Sequence, residues 1–74
     1  MSNYAVVTFY STHHALKAER ILKEEIKIFV VPVPRSISSN CGISIRFPAN
    51  DSEKVEEILR ENHVGFEGIF PWPE

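Results

Sequence analysis

The apolar residues of this chain switch between two spacings, every second residue and every third or fourth. The order of those switches leaves few folds open. Tyr4 to Tyr10 is β-branched and aromatic, with Ala5, Val7 and Phe9 on one face and Val6, Thr8 and Tyr10 on the other. From about His13 to Glu25 the spacing becomes helical. Ala15, Ala18, Leu22 and Ile26 form a core stripe, and Lys17, Glu19, Arg20, Lys23 and Glu24 mark the wet side. Ser11 or Thr12 caps this helix, because a short hydroxyl side chain accepts from the unpaired N–H groups of a first turn. Lys27 to Val33 reads as a strand that Pro32 and Pro34 confine to a sheet edge, since proline offers the ladder no N–H.

Gly42 to Phe47 alternates cleanly, with Ile43, Ile45 and Phe47 inward and Ser44 and Arg46 outward. Asn50 followed by Glu53 is an N-terminal capping pattern for a second helix that runs to about Glu61 and buries Val55, Ile58 and Leu59. A last strand, Gly65 to Phe70, precedes the tail Pro71-Trp72-Pro73-Glu74, whose indole is expected to pack on the sheet or on a partner. This β-α-β-β-α-β order predicts an α+β fold, the ferredoxin-like sandwich, with a four-stranded antiparallel sheet and two helices on one face. A chain of 74 residues has volume for one core, so a single domain over residues 1–74 is expected.

Charge and composition narrow the function classes. A net charge of −2 argues against a phosphate-backbone partner, and no nucleic acid is expected. The longest apolar run, Ile28 to Val33, is far too short to span a bilayer, so no membrane partner is expected either. No signal-peptide pattern opens the chain, and a lone cysteine can form no internal disulfide, which makes the cytoplasm the default location. So small a domain without disulfides often gains stability by self-association, and a homo-oligomer is a reasonable expectation.

One stretch departs from ordinary strand and helix. Pro34-Arg35-Ser36-Ile37-Ser38-Ser39-Asn40-Cys41-Gly42 holds one basic side chain, several hydroxyls, an amide and the chain's one cysteine. In the predicted fold the exit of the first strand and the connection between the second and third strands share one edge. Ser11, Thr12, His13 and His14 therefore come close to the stretch Pro34–Gly42, with Arg35, Ser38, Ser39, Asn40, Cys41 and Gly42. Cys41 shares the parity of Ile43, Ile45 and Phe47, so its sulfur should lean toward the helix-bearing face, near the first helix N-terminus. The partial positive charge and unpaired N–H donors there stabilise an anionic sulfur. Arg35 and either His13 or His14, with His13 preferred, are candidates to reinforce this, and Gly42 would allow close backbone approach or an unusual backbone conformation. Two adjacent histidines and a distant cysteine lack metal-ligand spacing, so no metal and no cofactor are expected.

The residues from Phe9 to Glu19, Phe-Tyr-Ser-Thr-His-His-Ala-Leu-Lys-Ala-Glu, and from Pro32 to Ile43 together resemble a small bacterial family described as selenium/sulfur carrier-like proteins. The resemblance covers nearly the whole chain and departs from the family pattern mildly at Tyr10 and Asn40. It implies a carrier, not an enzyme, in which a cysteine, here Cys41, holds sulfur or selenium as a persulfide or selenopersulfide. Donor and acceptor proteins are the partners it implies. Two other readings stand beside it. The same edge could cradle a small molecule or anion as a regulatory module, with Cys41 a structural pocket wall. Alternatively, the open sheet face could be a protein-interaction surface, with Tyr4, Val6, Phe29 and Val31 supplying apolar contact.

Overall fold

The computed structural model describes residues 3–37 and 41–73. Strand β1 spans Tyr4–Thr8, helix α1 Thr12–Leu22, β2 Phe29–Pro32, β3 Ile43–Pro48, helix α2 Ser52–Glu61 and β4 Gly68–Pro71. The sheet order is β2-β3-β1-β4 and every pairing is antiparallel, which is the ferredoxin-like arrangement. β2 lies at an edge, as its flanking prolines require.

The alternation along the strands sorts residues between two faces. Ala5, Val7 and Phe9 from β1 and its exit, with Ile45 and Phe47 from β3, meet Ala15, Ala18 and Leu22 of α1 and Val55, Ile58 and Leu59 of α2. Both helices therefore cover one face of the sheet. Alanines at 15 and 18 bring the α1 backbone close to the strands, where a larger side chain would hold it off.

Several boundaries differ from the sequence expectation, each for a local reason. Helix α1 ends at Leu22, with Lys23 its C-terminal cap, instead of reaching Glu25. The next backbone bonds, Glu25 N–H and Ile26 N–H to the Leu22 carbonyl, form a turn that still buries Ile26 in the core. The expected Asn50–Glu53 cap is replaced by a short 3-10 turn, Ala49–Asp51, and Asp51 at the cap of α2 makes no side-chain capping bond. Ser52 Oγ instead donates to the Ala49 carbonyl at 2.8 Å, a local bond that competes with the cap. The last strand starts at Gly68, three residues late, although Glu67 N–H already donates to the Thr8 carbonyl.

The end of α2 is tightly specified. His63 sits at φ 56°, in the left-handed region, while His63 N–H reaches the Arg60 carbonyl and Val64 N–H the Leu59 carbonyl. This pairing closes the helix and delivers Val64 to the core.

Candidate functional site

The connection between β2 and β3 is fastened where it leaves the sheet. Val33 N–H donates to the Gly42 carbonyl at 3.2 Å, and Ile37 N–H to the Pro34 carbonyl at 3.0 Å, which closes a turn over residues 34–37. This is the i to i+3 bond of a β-turn with Arg35 and Ser36 at its centre. Arg35 lies on it, exposed, with no hydrogen bond or ion pair among the described residues. Ser38, Ser39 and Asn40 lie outside the described residues.

Cys41 emerges from this loop facing inward. It is 4% exposed and belongs to the cluster that holds Ile45 and Phe47, the residues with which it shares strand parity. Its Sγ lies 3.7 Å from Thr12 Oγ1, within sulfur hydrogen-bonding reach and across 29 positions of sequence. Thr12 is the first residue of α1. The fold thus sets the thiol against the N-terminal turn of a helix, where the dipole and unspent N–H groups favour negative charge.

That turn is organised by Ser11. Its hydroxyl oxygen accepts from the His14 backbone N–H at 3.3 Å and lies 2.6 Å from His14 Nδ1. An oxygen already accepting one bond has its proton available, so the arrangement suits donation to Nδ1, with the ring proton on Nε2. The first intrahelical bond is Ala15 N–H to the Ser11 carbonyl. The N–H groups of Thr12 and His13 precede it and are the open donors of this end among the described residues.

The two histidines have separate surroundings. His13 is exposed and lines a small surface depression of about 140 Å³ with Leu16, Lys17 and Arg20. His14 is half-buried, stands edge-on to Tyr10, and lies over Gly65, where a Cβ would come within 3.4 Å of its ring. Among the sequence candidates, then, Ser11 and Thr12 shape the helix end, Thr12 meets the sulfur, and His13 faces solvent. His14, the less favoured of the two histidine candidates, is the one whose ring is held by the cap. The Ser11-x-x-His14 spacing carries the signal, because the side chain three residues after a cap folds back over it.

Gly42 does not need its glycine for the fold. The expected unusual backbone is absent: among the described residues no glycine has positive φ, and a Cβ at Gly42 would meet nothing within 4 Å. Gly42→Ala should leave stability unchanged or raise it by up to ~1 kcal/mol, through reduced freedom of the unfolded chain. Urea unfolding checks this, and a loss beyond about 1 kcal/mol would mean the loop adopts another backbone in solution.

Among the described residues no group of three or more histidine, cysteine or acidic side chains could hold a metal, and no helix is long and apolar enough to cross a membrane. The class defined here is a ferredoxin-like α+β domain with an inward cysteine at a helix N-terminus. Residues 4–71 match the family model "Putative Se/S carrier protein-like", and the chain belongs to that family. It is also 32% identical over 59 residues to uncharacterized protein MJ0011 of Methanocaldococcus jannaschii. That alignment covers 80% of this chain and 30% of the relative, so the chain spans under a third of the relative's length. No solved structure matches the chain.

Proposed function

We propose that the protein is a carrier that holds sulfane sulfur or selenium on Cys41 and passes it from a donor protein to an acceptor protein. The observation that carries this reading is the 3.7 Å approach of Cys41 Sγ to Thr12 Oγ1 at the N-terminal turn of α1, in a chain of a carrier-like family. The chemistry is thiolate exchange and needs no oxidant. The Cys41 thiolate attacks the outer sulfur of a donor persulfide, the new S–S bond forms as the donor's S–S bond breaks, and the donor leaves as its thiolate. The terminal sulfur on Cys41 is anionic, and an acceptor thiolate removes it by the same step in reverse. A terminal selenium follows the same balance.

In this reading Ser11 shapes the helix end, and Thr12 and the open N–H donors of Thr12 and His13 stabilise the negative sulfur. Arg35, Ser38, Ser39 and Asn40 are the side chains assigned to contact the donor, and Gly42 leaves open space for it. Burial of the sulfur sets a requirement: Cys41 must become accessible for attack, and its return to the buried position shields the persulfide from stray thiols. On this reading the protein is a carrier and not an enzyme, because it holds the transferred atom between separate donor and acceptor proteins. Its place of action on this reading is the cytoplasm, where thiols stay reduced.

Loading with glutathione persulfide, scored by cyanolysis, tests the proposal. The folded protein should take up one sulfane sulfur on Cys41. Thr12→Val, which keeps the shape and removes the hydroxyl, should load about fivefold more slowly, the equivalent of one modest hydrogen bond. A folded protein that takes up no sulfane sulfur would favour the rival role, in which Cys41 is the wall of a small-molecule or anion pocket.

A further inference from the structure

The face of the sheet turned away from the helices carries an arrangement that the carrier chemistry does not use. Strand pairing sets Phe29, Arg46, Val6 and Phe70 in one row across four strands, and Val31, Ser44, Thr8 and Gly68 in the next. Val6, Thr8 and Ser44 are fully buried on this face although no helix covers it. One contact is explicit: a Cβ at Gly68 would lie 2.9 Å from Phe70 Cζ, so that ring lies against the Gly68 backbone.

Arg46 stands at the centre. Its guanidinium carbon lies 4.7 Å from the Tyr4 ring centroid, 5.0 Å from Phe29 and 5.2 Å from Trp72. The indole reaches it because Trp72 N–H continues the ladder by donating to the Tyr4 carbonyl. Aromatic faces attract the charge but supply no oxygen acceptors. Arg46 has no ion pair among the described residues, and its Nε is shut off from solvent without an acceptor. Thr8 Oγ1, fully buried on the same face, also lacks a partner. Leaving such donors unmade is costly, and an arginine held in place by rings gives up little freedom when an anion arrives.

At the β4 edge, where Tyr4 and Phe70 of this face meet Ala5, Ile69 and Pro71 of the helix-bearing side, an apolar groove of about 480 Å³ opens toward Ala49 and Ser52 at the start of α2. Tyr4 belongs both to this groove and to the rings around Arg46. We propose that this face, together with the β4 edge beside it, binds an extended segment of a partner protein in which an acidic residue sits beside large apolar ones. Its carboxylate pairs with Arg46, and a neighbouring side chain fills the groove. Lys27, 6.0 Å from the Phe29 ring, adds a second positive charge at the rim. Two cations on a chain of net charge −2 suit one or two carboxylates and fall short of the phosphate contacts that nucleic acid needs. A second copy of the chain, docked symmetrically, would set two Arg46 cations against each other.

The proposal does not depend on the chemistry of Cys41. The test is an NMR titration of isotope-labelled protein with acetyl-Phe-Glu-Leu-Glu-Phe-amide, and with the same peptide carrying Gln for Glu. Saturable shifts of the Arg46 Nε–H, the Trp72 indole and the Ile69 amide are expected with the acidic peptide. The Gln peptide should bind at least about tenfold more weakly, and Arg46→Met should reduce the acidic peptide to that level. Comparing the two peptides on the unaltered protein decides the matter even if Arg46→Met fails to fold. No saturable shift at this face, equal binding of both peptides, tighter binding of oligouridine, or a dimer of the protein alone that buries the face would each overturn the proposal.

Discussion

Phe47→Ala is expected to lower the melting temperature by roughly 15 °C or more, and to leave a large unfolded fraction at physiological temperature. Phe47 is fully buried on β3, pairs with Ala5 of β1, and lies in the cluster joining the sheet to both helices. Truncating a buried phenylalanine costs about 3–5 kcal/mol, partly from lost transfer energy and partly from the cavity left behind. A chain of 74 residues has on the order of 4–11 kcal/mol of total stability, so the loss is a large share of it. Ala5 opposite cannot grow to fill the space, and strands cannot close sideways without breaking the ladder. Thermal unfolding followed by far-UV circular dichroism reads the effect. A fall of only a few degrees would show that the core is centred elsewhere.

Phe47 also shows how far the sequence could be read. Its inward direction followed from the clean alternation of Gly42 to Phe47, and that parity carried Cys41 with it to the helix-bearing face. The order of spacings likewise sufficed for strand order and for the meeting of the β2–β3 connection with the start of α1. What was not legible depends on side-chain competition or on register. Whether Asn50 or Ser52 governs the entry to α2 is decided by a single local bond, and the winner is Ser52 to the Ala49 carbonyl. Which histidine ring the cap holds depends on side-chain reach, and Ser11 reaches its third neighbour, His14, and not its second. The grouping of Tyr4, Phe29 and Trp72 around Arg46 depends on the register of three strands, which alternation alone leaves open. Trp72 was expected to pack on the sheet or on a partner, and its ring in fact lies on the open face.

Cys41→Ser is expected to abolish loading while leaving the fold in place. Serine keeps the size and geometry of the side chain, and its hydroxyl can still meet Thr12 Oγ1. The stability cost should therefore stay within about 1–2 kcal/mol, the range for burying a hydroxyl that retains a partner. Oxygen cannot replace sulfur as the attacking atom, so no persulfide or selenopersulfide can form at position 41. The expected result is a cooperatively folded protein with no sulfane sulfur after exposure to a persulfide donor. Loading that survives the substitution would place the acceptor elsewhere. A protein that no longer unfolds cooperatively would show the thiol to be a packing element first.

The most direct measurement of the carrier reading is the intact mass of the protein freshly isolated from cells, taken before and after a thiol reductant. The account predicts a fraction heavier by one sulfur or one selenium, with the added mass removed by reductant, mapped to Cys41 and missing from Cys41→Ser. A protein that shows only its unmodified mass, and whose folded form takes up neither element from a persulfide or selenopersulfide donor, would contradict it.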